Sequence, residues 1–468
     1  MNIILYVMDS LRPDFLSCYD YHKKTSPNID KIAEDGVVFE NCFAQSTWTR
    51  PSGASILTST YPSVHKVITT NDILTDKIPT LPTFLEKKGF KNIAISAMGN
   101  ISPSFGFGNS FDHFVELYKE NGVIKKRVSF ENKGFWRSHF KSDYVSIATS
   151  EDANDFLFPL LENYVDENVF VLIWSIDTHN PYFHREPRLA RFCKETKPAF
   201  WDEGFFHKEI YNRIWPKHRR IEQRRLLYED MIYYNDYHIG ILTDRLKKLK
   251  QYDNTLLIIT SDHGEGFGEH DLLAHAGVPY EEQIKVPLII KFPMSENRGR
   301  IKSLVQHIDI MPTILEYLDL KENDIIQGKS IITLISDEKK RINDFIFCET
   351  KLHSKFPKYV SVRNNDYKYI KIEMPKFKFE WSLKYLRRRR RLRKICKGEE
   401  MLFFIKEDKD ERKNVIELYP NKVDELKSSL NSFSEDNKDI SLKLNIDRHT
   451  REVDKTVKKQ LRALGYID

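Results

Sequence analysis

Four short segments of the 468-residue chain carry residue types that hold metal ions and move protons. Asp9 follows the apolar run Ile3–Met8, and Asp262-His263 follows Thr255–Thr260. Asp177-Thr178-His179 lies at the end of Val169–Ile176. The fourth segment, Trp48-Thr49-Arg50-Pro51-Ser52-Gly53-Ala54-Ser55, reads as a turn entering a helix, with Pro51 near its first turn. Two carboxylates and an imidazole brought together make a site for one divalent ion. A hydroxyl at a helix N-terminus beside that ion is a nucleophile, because ion and helix dipole both favour its alkoxide. These residues also have a plainer use. A strand-end aspartate often caps a helix, and Asp-His-Gly arises by chance.

For the segments to meet, their strands must lie side by side with their carboxyl ends aligned. The apolar runs Ile3–Met8, Ile93–Ser96, Val169–Ile176, Thr255–Thr260 and Val286–Ile290 lack the alternation of half-exposed strands, so they predict strands buried on both faces. Between them Thr80–Lys88, closed by Gly89, and Ile221–Lys250 predict helices. Strand and helix alternating imply an α/β fold with a parallel sheet. Tyr118–Ser150 and His184–Arg220 interrupt the rhythm and read as insertions. From about Phe345 the composition turns towards charged residues, which divides the chain into a catalytic domain, 1–344, and a smaller C-terminal subdomain, 345–468.

Composition narrows the classes. Hydrophobic residues make up 40% and aromatic residues 12%, enough for a large core. A net charge of +6 is too mild for a nucleic-acid-coating surface, and no nucleic-acid partner is expected. Five scattered cysteines without a CxxC pair argue against a disulfide framework or a zinc finger. The first residues show no basic n-region or cleavage site, and no apolar run reaches membrane length. The expectation is a cytoplasmic protein.

Longer blocks carry a resemblance. Asp9-Ser10-Leu11-Arg12-Pro13-Asp14 is followed by Thr25-Ser26-Pro27-Asn28-Ile29-Asp30. Next come Thr49-Arg50-Pro51-Ser52-Gly53-Ala54-Ser55, Leu57-Thr58 and Tyr61-Pro62-Ser63-Val64-His65. Thr260-Ser261-Asp262-His263-Gly264-Glu265, Gly268-Glu269-His270, His275 and Tyr280-Glu281-Glu282 complete the order, and Gln460–Tyr466 closes the chain. This order resembles the sulfatase family of the alkaline phosphatase superfamily. The resemblance implies an alkaline-phosphatase/sulfatase-like sandwich, with a large, mostly parallel central sheet flanked by helices and a smaller C-terminal α+β subdomain.

The departures redirect the expected chemistry. Sulfatases convert a signature Cys or Ser into formylglycine. Here that position is Thr49, so no formylglycine is expected, and the signature Arg is Gly53. The family's GKWH stretch, whose Lys and His hold sulfate, aligns with Ser96-Ala97-Met98-Gly99. The usual Asp-Asp pair is Asp9-Ser10, and the usual Asp-Asn is Asp262-His263. Fewer carboxylates and an added imidazole favour Mn²⁺ or Zn²⁺ over Ca²⁺ or Mg²⁺. The resemblance to the phosphoryl-transferring branch implies Asp9, Thr49, Asp262 and His263 as ligands of one ion. It also implies a hydrolase or transferase, with Thr49 as nucleophile on a phosphate, or sulfate, ester and a covalent intermediate that water or an acceptor alcohol resolves. His179 and His275 match family histidines beside the ester, as general acid or charge stabiliser. His65 and Asn71 take substrate-binding positions, while His270 reads as supporting. Gly264, Gly266 and Gly268 give backbone room beside the metal rather than a phosphate loop. Two rivals remain: a sulfatase working without formylglycine, and a non-catalytic glycan- or lipid-binding relative.

Charge is concentrated in one place. Between Lys376 and Lys397 eleven Lys and Arg face a single acid, Glu380, leaving the rest of the chain at −4. Arg387–Arg391, preceded by Trp381-Ser382-Leu383-Lys384-Tyr385-Leu386, fits an anionic membrane surface, a polyanionic glycan, a lipid phosphate or a solvated loop. The expected substrate is a phosphorylated or sulfated small molecule, glycan or lipid headgroup, and peripheral membrane attachment would follow from the last.

Overall fold

The computed structural model describes residues 1–119, 147–194, 217–321, 323–337, 339–354, 356–374, 399–450, 453–464 and 466. Most of the two expected insertions, and the basic segment with Arg387–Arg391, lie outside the described residues.

The apolar runs form the strands the sequence predicts. The main sheet comprises β1 (Asn2–Met8), β2 (Val37–Phe43), β3 (Lys91–Ser96), β4 (His113–Glu116), β5 (Val169–Ser175), β6 (Thr255–Thr260), β7 (Lys285–Lys291), β8 (Gly299–Ile301) and β9 (Val305–Gln306). Their order is β8-β2-β7-β6-β1-β5-β3-β4, with β9 also on β2. All pairings are parallel except the two made by β7. Every residue of β1, β5 and β6 is buried, which explains why these strands read as unbroken apolar runs.

Register aligns the carboxyl ends. Met8 pairs with Ser175 and Val7 with Thr260, so the residues that follow β1, β5 and β6 emerge side by side. Helices α1 (Pro27–Glu34), α2 (Thr49–Thr58), α3 (Leu81–Lys87), α4 (Ser150–Asn163), α5 (Lys217–Lys248) and α6 (Ile310–Tyr317) accompany the sheet. Among the described residues no helix is long and apolar enough to cross a membrane.

A separate antiparallel sheet follows, in the order β10 (Ile346–Thr350), β11 (Lys358–Arg363), β12 (Tyr367–Glu373) and β13 (Glu400–Phe404). Helix α7 (Pro420–Lys443) covers it, burying Leu426, Leu430 and Phe433 against Val360, Val362 and Tyr369. The chain then returns to the segment between α2 and α3. His449–Thr450 pairs with Asp72–Ile73, and Arg448 grips the buried Asp72 carboxylate at 2.6–2.9 Å. Helix α8 (Lys455–Ala463) places Val457, Leu461, Leu464 and Tyr466 in the main core. The chain's end therefore packs with the large sheet, not with the small one that precedes it.

Candidate active site

Asp9, one residue beyond β1, is fully buried. Its Oδ2 accepts from Trp174 Nε1 at 3.3 Å and lies 3.4 Å from the Thr49 hydroxyl, while Oδ1 has no hydrogen-bond partner. Ser10 turns into the left-handed region, φ 59°, and its N–H donates to Asp262 Oδ1 at 3.0 Å. The N–H of His263 donates to the same oxygen, which leaves the buried Asp262 Oδ2 unpartnered. His263 places Nδ1 2.8 Å from the Gly264 carbonyl, so Nδ1–H donates and Nε2 carries the free lone pair. That Nε2 lies 3.4 Å from Thr49 Oγ1, 3.4 Å from Asp262 Oδ2 and 3.7 Å from Asp9 Oδ1.

Thr49 opens α2. Trp48 occupies the cap position in extended backbone, and no side chain caps the helix. The threonine hydroxyl faces the carboxylates instead, at the positive end of a ten-residue helix. The helix-cap use of Thr49 is thus not what this geometry offers.

The four donors fit a divalent ion. Two buried carboxylate oxygens without partners are expensive unless a cation faces them. Accordingly burial, then repulsion from Asp262, pushes the Asp9 carboxyl well above its usual range, and burial raises Asp262 too. Burial, against the pull of Asp262, lowers His263 to about 4, so the ring is the neutral ligand form. Ligand atoms about a tetrahedral ion with bonds of ~2.0–2.1 Å sit roughly 3.3–3.4 Å apart. That spacing also suits a larger octahedral ion, so it does not select one.

His179 and His275 complete one side of the site, their ring centroids 5.0 Å apart. His179 Nδ1 is tied to the Asn180 carbonyl at 2.5 Å, and His275 Nδ1 lies 3.4 Å from the buried Glu265 carboxylate. Burial lowers both rings to about 3. Tyr466, from the last turn of the chain, reaches between them. Its hydroxyl lies 2.8 Å from Thr49 Oγ1 and 3.1 Å from Nε2 of each histidine. Glu265, Trp174 and Tyr466 carry no role in the sequence reading. The terminal Gln460–Tyr466 block was the available signal for the last, but nothing local points it at Thr49.

Two expected substrate residues stand elsewhere. His65 is buried with both nitrogens occupied, Nε2 at Ser55 Oγ and Nδ1 accepting from the Val67 N–H, both at 3.1 Å. Ser55 is six residues beyond Thr49, ~9 Å along the helix. His65 therefore fastens α2 to the next turn and has no nitrogen left for a substrate. Asn71 is exposed in the turn before Asp72. His270 places Nδ1 2.9 Å from Glu282 and Nε2 3.1 Å from the Glu411 carbonyl, and its ring stacks on Tyr280.

The departures have structural partners. A Cβ on Gly53 would lie 2.4 Å from Ile101 Cδ1 and 3.1 Å from the Trp174 ring, so a larger residue there requires Ile101 to move. Ala97 and Gly99 are engaged by the Gln460 side chain, at 2.7 and 2.6 Å. Gly264 needs room for a different neighbour than expected: its Cβ would strike the Glu282 carbonyl at 2.1 Å. A cleft of about 1200 Å³, lined by Arg12, Glu269, His270, Arg363 and Arg412 among others, includes none of the Thr49 site residues.

Comparison with known proteins follows the same lines. The Sulfatase family pattern matches residues 1–320, and the N-sulphoglucosamine sulphohydrolase C-terminal pattern matches 268–388. An N-acetylglucosamine-6-O-sulfatase of Bacteroides thetaiotaomicron is 24% identical over 439 residues, covering 79% of this chain and 78% of that protein. The multifunctional alkaline phosphatase superfamily protein PehA of Trinickia caryophylli is 24% identical over 421 residues, covering 76% and 80%. The crystal structure of a phosphonate monoester hydrolase of Agrobacterium radiobacter matches with a TM-score of 0.67 at 18% identity, over 93% of this chain and 96% of that one. At that identity the likeness is one of fold.

Proposed function

The chain belongs to the sulfatase family, a family of ester hydrolases, and from that premise we propose that it cleaves a phosphate ester with Thr49 as nucleophile. One observation carries the reading: Thr49 Oγ1 stands at a helix N-terminus, 3.4 Å from both Asp9 Oδ2 and His263 Nε2. Asp9, Thr49, Asp262 and His263 would hold one divalent ion. Bound there, the ion would supply positive charge that favours the ionised threonine and offsets the charge of the ester oxygens.

The remaining steps belong to the chain's own residues. Thr49 Oγ1 forms a bond to phosphorus while the ester P–O bond breaks, giving a phosphothreonine. His179 or His275 gives a proton to the departing oxygen. Water then attacks phosphorus, the Thr49 bond breaks, and free threonine returns. Thr49 in place of the signature Cys or Ser, and Gly53 in place of the signature Arg, support a phosphate over a sulfate ester. The relatives' names range from a glucosamine sulfatase to a phosphonate monoester hydrolase, so the substrate alcohol is proposed as a small molecule, glycan or lipid headgroup.

The test is turnover of aryl phosphate monoester, phosphate diester and sulfate with Mn²⁺ or Zn²⁺, beside Thr49→Ala. Phosphoester turnover abolished by the substitution supports the reading. Sulfate turnover that survives it overturns the mechanism.

A further inference from the structure

No hydrogen bond joins Thr49 to His179 or His275 among the described residues. Among the described residues the partners of Thr49 Oγ1 are Asp9, His263 and Tyr466, and those of the histidine Nε2 atoms include Tyr466 alone. One phenol therefore joins the hydroxyl that must lose a proton to the rings that must supply one. The direction of each bond is set by what lies behind it. The Asn180 carbonyl can only accept, so His179 Nδ1 carries the hydrogen and Nε2 is the acceptor in the neutral ring. The Glu265 carboxylate fixes His275 in the same tautomer. With both Nε2 atoms as acceptors, the single phenolic proton of Tyr466 goes to one of them, which leaves the Tyr466 oxygen open to accept the Thr49 proton in place of Asp9 Oδ2. The Thr49 contact with Tyr466, 2.8 Å, is also shorter than its 3.4 Å contacts with Asp9 and His263.

The hydroxyl is held there firmly. Asp454 caps α8 through the N–H groups of Thr456 and Val457. Gln460 bonds both Ala97 and Gly99, Leu461 and Leu464 are buried, and the Tyr466 N–H donates to the Leu461 carbonyl at 2.9 Å. Tyr466 itself is 3% exposed.

We propose that Tyr466 is a catalytic residue that carries the proton of Thr49 to His179 or His275. The proposal rests on the Thr49 reading above. As Thr49 Oγ1 bonds to phosphorus, its proton passes to Tyr466 Oη and the phenolic proton passes to a histidine Nε2. That proton then goes to the leaving oxygen as the ester bond breaks. Tyrosine and histidine end neutral, and the threonine proton has become the hydroxyl proton of the released alcohol. In the second half-reaction the attacking water returns a proton to Thr49 by the same path.

The experiment compares wild type, Tyr466→Phe and Thr49→Ala on phenyl and 4-nitrophenyl esters of the class that wild type turns over. The phenylalanine ring keeps the packing, and a melting temperature close to wild type verifies it. Phenolate leaves poorly without a proton and nitrophenolate leaves well. In Tyr466→Phe, kcat should fall about 100-fold on the phenyl ester and at most about 10-fold on the nitrophenyl ester, with KM within about twofold. An equal loss on both esters, or no loss, overturns the proton bridge while Thr49→Ala still reports the nucleophile. A gain in activity also overturns it and makes the tyrosine a plug. Thr49→Ala matching wild type overturns the nucleophile and the bridge together. If no ester is turned over, ¹⁵N resonances of the two histidines still decide: Nε2 should move towards a free acceptor in Tyr466→Phe, and unmoved signals overturn the inference.

Discussion

The two halves of the site are built by different means. The carboxylates and His263 sit on β1 and β6, where continuous parallel register leaves their positions little freedom. Tyr466 arrives from 417 positions away, on an arm stitched by Arg448 to Asp72, by Gln460 to Ala97 and Gly99, and by its own hydroxyl. The strand-end half consists of charged groups with oxygens left open. The arm half is held by Arg448, Gln460 and Tyr466, whose side chains bond to Asp72, to Ala97 and Gly99, and to Thr49, His179 and His275. The sheet thus provides a place that fits an ion, and the arm lines the side of Thr49 that faces His179 and His275. Stability of the first half comes from the core, whereas the second depends on a few polar contacts that local opening can break.

The largest effect should come from the strand-end half. Asp262→Asn keeps the oxygen that accepts from Ser10 and His263 but replaces the unpartnered one with an amide. Metal affinity, measured by titration calorimetry, should fall more than about 100-fold, since losing even an outer partner of a ligand costs roughly 10–100-fold. Melting of the metal-free protein should be unchanged or higher, because a repelling buried charge is gone. A smaller effect is expected where the halves meet the family's missing arginine. Gly53→Arg must displace Ile101, and should lower stability in urea by more than the ~1–3 kcal/mol typical of overpacking. It should not create sulfate turnover. The arm half responds more gently. Arg448→Ala removes bonds to a buried carboxylate, but the arginine is half exposed, so about 1–2 kcal/mol is expected. Amide exchange should quicken over residues 446–466 and leave β1 and β6 protected.

Legibility in the sequence follows the same divide. Asp9, Asp262, His263 and Thr49 were readable because each stands where a strand ends or a helix begins, and such positions are visible in local pattern. The strands themselves were readable because burial on both faces leaves an apolar run. His65 misled because resemblance supplies a residue type at a spacing, whereas both of its nitrogens are used by Ser55 and Val67. Tyr466 was seen as part of a block yet given no task, since its partners are tertiary. Gly53 was noticed as a missing arginine, but only packing reveals that Ile101 and Trp174 crowd the space.

The smallest effect concerns a contact away from both halves and separates their pH behaviour from that of the surrounding loop. His184 Nε2 lies 3.2 Å from Asp230 Oδ2, and Asp230 also takes the N–H groups of Arg191, Phe192 and Cys193 at 2.6–2.9 Å. The hydrogen bond to Asp230, then that to Cys193, raises His184 to about 9. A raised histidine adds stability that is complete below its unfolded value near 6.5 and is lost as pH climbs to the folded value. The lowered Asp230 acts only at acid pH, so His184 alone titrates between about 6.5 and 9 in this pair. Protection of the Arg191, Phe192 and Cys193 amides should fall across that window after correction for intrinsic exchange. In His184→Gln it should be lower and flat. A fall of the same shape in the variant would show that His184 is not the titrating group, since His179, His263 and His275 are lowered to about 3 to 4 and lie outside that window.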